Sequence, residues 1–249
     1  MPDFEESRRQ FLLQLLATGA FTSMSSNLLM TRNVWAENNE LPAQLESGRS
    51  IFRLKGDVTI NGVPATLNSI ITANDKIETG DRSFIIFVVG QDAFTLRSNS
   101  VLKLSPGDTT DSESSIKTNL VNSLRLVSGK LLSVFGKSGH TISTYTATIG
   151  IRGTGVYVES NEDESYVCTC YGTTLLSANN DPNSSEVVTS EHHDAPRYIT
   201  SSGSEGQYIR PAPFKNHEDI ELLLLEELVG RETPFPVPDR GRRSSLRSY

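Results

Sequence analysis

Ser83-Phe84-Ile85-Ile86-Phe87-Val88-Val89-Gly90-Gln91-Asp92-Ala93-Phe94-Thr95-Leu96-Arg97 decides the fold class. The apolar run is short, unbroken and rich in β-branched and aromatic side chains, so it reads as a strand buried on both faces. Gly90-Gln91-Asp92 turns it back into a second strand, Ala93 to Arg97. Upstream, Ile51-Phe52-Arg53-Leu54 and Val58-Thr59-Ile60 are short strands. Asn61-Gly62 then suits a type I′ turn, because both residues tolerate positive φ. Pro64 in the following Val63-Pro64-Ala65 cannot donate to a ladder, which places that strand at an edge. Ile70 to Ala73 leads into Asn74-Asp75-Lys76-Ile77-Glu78-Thr79-Gly80.

Downstream, Val101 to Leu104 alternates weakly, and Ser105 to Thr118 is polar with Pro106-Gly107, a surface loop. Asn122 to Val127 and Lys130 to Phe135 read as a hairpin about Ser128-Gly129, with Leu124, Leu126, Leu131 and Val134 as core candidates. Thr141 to Thr148 and Gly155 to Val158 flank Ile149-Gly150-Ile151-Arg152-Gly153-Thr154. Ser165 to Cys170 and Thr173 to Leu176 follow, and Ser184 to Thr200 supplies at least two strands around His192-His193. The expectation is an all-β protein with an antiparallel β-sandwich or jelly-roll-like body. One amphipathic helix closes it, from about His217 to Val229. Asn216 is its expected N-cap, Glu218 and Asp219 favour its start, and Gly230 with Arg231 stops it. Ile220, Leu223, Leu224, Glu227 and Leu228 form its apolar stripe, widened by Leu222 and Leu225.

The N-terminus carries a different message. Ser7-Arg8-Arg9-Gln10-Phe11-Leu12 precedes a diluted apolar run, Phe11 to Leu29, that ends at Val34-Trp35-Ala36 with small residues where a signal peptidase cuts. A membrane anchor needs about 20 predominantly apolar residues, and this run carries too many hydroxyl and amide side chains. Arg8 and Arg9 resemble the signal of the bacterial twin-arginine (Tat) route, which implies export of a folded chain to the periplasm or medium.

Cleavage after residue 36 leaves roughly 210 residues, enough for one domain or a domain with an appendage. It leaves the formal charge at −7, because Asp3, Glu5 and Glu6 offset Arg8, Arg9 and Arg32. An acidic body makes nucleic acid and anionic membrane poor partners. The basic tail Arg240-Gly241-Arg242-Arg243 and Arg247 reads as a solvated end. Enzyme signatures do not assemble: Gly153-Thr154-Gly155 lacks the context of a phosphate loop, no Gly-x-Ser-x-Gly elbow occurs, and no carboxylate pair stands out.

One chemical constellation stands out. The chain has two cysteines, Cys168 and Cys170, and four histidines, His140, His192, His193 and His217. On a strand, Cys168 and Cys170 point to one face with Cα atoms about 6.5–7 Å apart. Disulfides usually need about 4.4–6.8 Å, so that bond requires distortion. Two thiolates on one face suit a single metal, with Zn–S bonds of about 2.3 Å. His192 and His193 point to opposite faces if extended, so one of them joins the cysteines, whereas a turn releases both. Three readings stay open at this point: buried structural thiols, a metal site (zinc, copper or haem-related iron), and a redox disulfide. The place of His217, with the other histidines or at its helix start, is open too.

Five blocks in order carry a family resemblance: Gly56-Asp57-Val58, Asn74 to Ser83, Phe94 to Ser100, Leu124 to Leu131, and Ile149 to Val156. They resemble the FecR domain family over about residues 48–177. The resemblance implies a periplasmic all-β sensing or interaction module without catalytic residues. It is most similar to small free-standing exported members with a Cys-x-Cys-Tyr-Gly block, a His-His pair and a closing Asn-His-x-Asp helix. With no cytosolic helical domain or firm span legible, a direct anti-sigma role is not expected. Within the blocks, Gly80, Gly129 and Gly153 suit tight reversals that need positive φ or no side chain. Arg152, beside Thr154, is expected to tie strands through carbonyl or carboxylate contacts.

The expected organisation is a signal peptide over 1–36, a linker over 37–47, the FecR-like domain over 48–177, a β extension and helix over 178–232, and a Pro/Arg tail over 233–249. The expected role is non-enzymatic recognition of an envelope protein or small ligand. The alternative is a metal-binding or thiol-redox protein using Cys168, Cys170 and His192 or His193.

Overall fold

A computed structural model describes residues 44–106, 121–136 and 139–235. The signal motif of Arg8 and Arg9, the loop from residue 107 onward and the basic tail lie outside these residues. The strands in chain order are β1 (Ile51–Lys55), β2 (Val58–Ile60), β3 (Val63–Pro64), β4 (Lys76–Thr79), β5 (Phe84–Val89), β6 (Asp92–Leu96) and β7 (Ser100–Pro106). They continue as β8 (Val121–Val134), β9 (Gly139–Ser143), β10 (Ala147–Ser160), β11 (Glu164–Ala178), β12 (Asp181–Ser190), β13 (Arg197–Thr200) and β14 (Ile209–Pro211). Among the described residues one helix, α1, covers Asp219–Leu228. The all-β expectation with a C-terminal helix is met among the described residues. Among the described residues, no helix is long and apolar enough to cross a membrane.

Hydrogen bonding joins every strand into one network, yet the register resolves it into two layers. The first runs β1-β5-β6, then the second halves of β8 and β10, the first half of β11, β13 and β14. The second runs β3-β2-β4-β7, the first half of β8, β9, the first half of β10, the second half of β11, and β12. All ladders are antiparallel except β8–β9. Strands that pass from one layer to the other at bends are a known way of turning a sheet's corner.

The expected hairpin about Ser128-Gly129 and the expected reversal at Gly153 therefore both lie within single strands. Asn122 to Phe135 does not reverse at Ser128-Gly129: β8 continues as one strand, changing partners from β7 to β6 and β10 at Gly129. Likewise Ile149 to Thr154 lies inside β10, and Ser165 to Leu176 is one strand, β11. Gly129 adopts φ +96°, and a Cβ there would stand 2.5 Å from the Ser100 Cα. Gly153 sits at the β10 irregularity opposite Gly172, whose own φ is +83°. Gly80 has no such φ, but a Cβ on it would come within 3.1 Å of the Asp57 Cβ. The three long strands thus bend where side chains are missing.

Apolar side chains of both inward faces form one core. Leu96, Leu131, Val158 and Val167 stand opposite one another across β6, β8, β10 and β11, each at most 1% exposed. The expected core residues Leu124, Leu126, Leu131 and Val134 are fully buried. The Asn61-Gly62 turn has positive φ at both positions, and Pro64 lies at the sheet edge, as expected.

Helix α1 lies on the outward side of the first layer, against β6 and β8. It starts two residues later than expected. Asn216 sits in the left-handed region at φ +66°, so Glu218 is the N-cap, and its N–H donates to Glu221 Oε2 at 3.0 Å. The buried stripe is Leu222, Leu224, Leu225, Glu226 and Leu228, rotated from the expected one. Glu226 is buried because Tyr171 OH donates to it and Arg231 pairs with it at 2.6 Å. Arg97 adds a two-pronged contact to Glu221, 2.6 and 2.8 Å.

The bend at Gly129 makes a direct prediction. Gly129→Ala forces both a strained φ and a backbone clash with Ser100, and should lower unfolding free energy by about 3 kcal/mol. Urea denaturation that left stability within error of the parent would refute the role assigned to this glycine.

Candidate metal centre

The two cysteines occupy the outward face of the first layer, under the chain that leads into α1. Cys168 stands opposite Tyr157 of β10, and Tyr157 opposite Leu132 of β8. Because β11 is extended here, Cys170 shares the face of Cys168 while Val167 points into the core. Both thiols are fully buried. Above them, Phe214 to His217 crosses from β14 to α1, and the turn after β12 delivers His193.

Local chemistry fixes that turn. The Asp194 Oδ2 accepts from the N–H groups of Glu191 and His192 at 2.8 and 3.2 Å, and from Ser190 Oγ at 3.2 Å. His193 takes a positive φ of 57°, and its N–H donates to the Cys170 carbonyl at 2.9 Å. The turn releases only one of the paired histidines to the cysteines. His193 turns inward, its side chain 8% exposed, and His192 turns outward at 48%.

Four donors converge: Cys168 Sγ, Cys170 Sγ, His193 Nδ1 and His217 Nε2, all within 4.8 Å of one another. The expected pair Cys168 and Cys170 and the expected His193 come together. His192 does not join them, and His217 completes the set. Cys168 Sγ lies 3.5 Å from His193 Nδ1, Cys170 Sγ 3.3 Å from His217 Nε2, and the two ring nitrogens are 3.0 Å apart. Zn–S bonds of about 2.3 Å and Zn–N bonds of about 2.0–2.1 Å in a tetrahedron give S–N edges near 3.5 Å and N–N edges near 3.3 Å. These three distances match those edges to within a few tenths of an ångström. Donors that converge on one point suit a single ion. A haem iron takes four of its ligands from the porphyrin, so four protein donors closed around one point do not suit it.

The outer contacts orient both imidazoles. His217 Nδ1 donates to the Lys215 carbonyl at 2.9 Å, which leaves Nε2 free to accept a metal. His193 Nε2 faces Asp219 Oδ1 at 3.1 Å, and His192 Nε2 faces the same oxygen at 2.9 Å. His192 therefore acts on the carboxylate that orients its neighbour. Tyr157 stacks on His217 at 4.5 Å between ring centroids, while Phe214 packs against both His193 and His217.

Charge in the metal-free cluster follows from these contacts. The Cys170 thiol beside it, then His193 and His217, push the Cys168 thiol down to about 4. Burial and the neighbouring Cys168 hold Cys170 well above the ordinary thiol range. Burial opposes a charge on His193, but the Cys168 thiolate and the Asp219 carboxylate outweigh it, so His193 is raised. The contacts thus favour the thiolate at Cys168 and the protonated ring at His193, and metal binding would release the proton from His193.

The structural residues of the sequence reading sort differently. Thr154 is fully buried, its hydroxyl donating to the Gly155 carbonyl at 3.2 Å. Arg152 is corrected: it is exposed, and among the described residues no hydrogen bond or ion pair holds it. Strand alternation that buries Ile151 points Arg152 to the opposite, outward face.

No family model matches this chain. No curated protein matches it either. Two crystal structures of a candidate anti-sigma factor from Parabacteroides distasonis are similar to it, at 11% identity and a TM-score of 0.43, covering 55% of this chain. The matched part spans 58% of that protein's length.

The charge pattern predicts a pH response in metal-free protein. A depressed thiol stabilises the fold fully above its ordinary value of 9.0, and that contribution is lost as pH falls through about 4. His193, being raised, contributes fully below its ordinary 6.5 and loses its effect as pH rises through its higher value. Below pH 6.5 the change therefore belongs to Cys168. The stability difference between parent and Cys168→Ala, measured by urea unfolding with chelator present, should shrink from pH 6.5 toward about 4. A difference that stays constant there contradicts an ionised Cys168.

Proposed function

We propose that this chain is an exported, non-enzymatic β-sandwich protein of the envelope whose C-terminal segment is fastened by one tetrahedral Cys2His2 metal ion, zinc by preference. The observation that carries the reading is the convergence of Cys168, Cys170, His193 and His217 from three separate stretches of chain on a buried point. Two soft and two borderline donors in tetrahedral array favour zinc over metals that prefer planar or octahedral sites. Four protein ligands leave no open position for a substrate or an activated water, so the ion is structural. It joins β11 and the His192-His193 turn to the segment that seats α1. That fastening favours a rigid recognition body over a reaction centre.

Location and partner class rest on sequence. The Arg8-Arg9 motif and the small residues before position 37 support Tat export, and the five ordered blocks support a FecR-like recognition module. Export of a folded chain lets the metal be captured in the cytoplasm, before the protein meets competing metals outside. The thiol-redox alternative is disfavoured by the extended backbone of β11, which holds the two cysteine Cα atoms near the upper limit of disulfide geometry.

Protein purified without chelators should contain one equivalent of zinc by elemental analysis. Cys168→Ser and His217→Ala should lose it, whereas His192→Ala should keep it. An ion held about 1,000-fold above its dissociation constant contributes about 4 kcal/mol, so removing it should lower Tm by roughly 10 °C. Sub-stoichiometric metal in the parent, or a Tm indifferent to chelation, overturns the reading. In cell fractionation, replacing Arg8 and Arg9 with lysine should leave the protein inside the cell. Normal export of that variant contradicts the Tat assignment.

A further inference from the structure

The face of the second layer that turns away from the core carries a charge pattern at odds with the protein's acidity. Lys76 of β4 stands directly opposite Lys103 of β7, and Lys103 directly opposite Arg125 of β8. Lys76 is offset by Glu78 at 3.0 Å. Lys103 and Arg125 are exposed, and among the described residues no ion pair reaches either one. Like charges directly opposite across a ladder oppose strand pairing. In a chain of net charge −7, this is a local excess of positive potential.

The same face changes character along its width. Beyond Arg125 the register continues through Ser143 of β9, Thr148 of β10 and Ser177 of β11, a band of hydroxyls. One row further along the strands, Leu175 of β11 stands opposite Val187 of β12, and these aliphatic side chains are 50% and 66% exposed. Gly150 beside Leu175 leaves a shallow hollow of about 580 Å³, lined also by Thr141, Arg152 and Val187. The face thus has a cationic end at Lys103 and Arg125 and an aliphatic end at Leu175 and Val187, whose hollow is bordered by one further exposed cation, Arg152.

We propose that this face docks an extended acidic segment of a partner protein, with carboxylates against Lys103 and Arg125 and an aliphatic side chain on Leu175 and Val187. Charge complementarity selects an anion, and the aliphatic pair selects a polypeptide. A sulfated polysaccharide or nucleic acid carries its charge along its whole length and would lay charged groups over Leu175 and Val187. Five inter-strand gaps of about 4.8 Å separate β7 from β12, roughly 24 Å, which about seven extended residues span. The docking face lies on the other layer from the metal cluster, so the two can fail separately.

The test is fluorescence anisotropy of the purified chain with a labelled heptapeptide carrying three glutamates at one end and leucine at the other. Binding should appear at low ionic strength and weaken as salt rises. K103E/R125E should weaken it about tenfold, and L175T/V187T or a glutamine version of the peptide should do likewise. K103E alone converts a like-charged pair into an opposite-charged one, so its Tm should not fall while its peptide binding still weakens, which separates lost binding from lost folding. No binding at low salt, or binding indifferent to K103E/R125E, overturns the proposal. Binding that ignores L175T/V187T while dextran sulfate competes more tightly assigns the face to polyanions and also overturns it. Self-association of the chain abolished by L175T/V187T would overturn it in favour of a second copy.

Discussion

Strands of fourteen or fifteen residues are longer than most, and a flat sheet of them could not enclose a core in a chain of this size. The bends of β8, β10 and β11 at Gly129, Gly153 and Gly172 are the constraint on which the rest depends. They let one hydrogen-bonded network serve as two layers. Each bend is crowded by the strand beside it: a Cβ on Gly172 would stand 2.7 Å from the Thr154 Cβ and 2.8 Å from the Gly153 carbonyl oxygen. The corner is therefore a fitted contact between bends, and the conformational freedom of glycine makes it possible.

The corner also decides what covers the first layer. Tyr157, Cys168, Cys170 and Leu132 lie on its outward face, where an ordinary sandwich would meet water. Here α1 and the chain before it lie over them, held by Leu222, Leu225 and Leu228, by Arg97 with Glu221, and by the four-donor cluster. A ten-residue helix is too short to be stable alone, so its place depends on tertiary contacts. A metal ion bound to His217 two residues before the helix would fix its start, while Arg231 and Glu226 fix its end. That division explains why a buried carboxylate is tolerated on the helix: Glu226 has both a hydroxyl and a guanidinium partner.

Much of this was legible in the sequence. Alternating and continuous apolar runs gave the strands, and Asn61-Gly62 and Pro64 gave their local geometry, because those signals are local. The bends differ from the sequence expectation of a hairpin at Ser128-Gly129 and a tight reversal at Gly153. A glycine with positive φ looks the same in sequence whether the chain reverses or changes layer, and only partner strands distinguish the two. The same-face placement of Cys168 and Cys170 followed from strand period alone. The choice of His193 over His192, and the recruitment of His217, did not. Both depend on the turn that Asp194 caps and on the left-handed Asn216, which place side chains from distant parts of the chain. The Asn-His-x-Asp spacing was the one available signal, since it puts His217 and Asp219 on the same short approach to the helix. The cation row was missed because Lys76, Lys103 and Arg125 are neighbours only in the register.

The central claim is that Cys168, Cys170, His193 and His217 hold one metal ion that fastens the C-terminal segment to the sheet. X-ray absorption at the zinc edge of protein purified without chelator tests it most directly. The account predicts two sulfur scatterers at about 2.3 Å and two imidazole nitrogens at about 2.0–2.1 Å. A spectrum of oxygen and nitrogen donors without sulfur, or a signal below one zinc per chain, would contradict it.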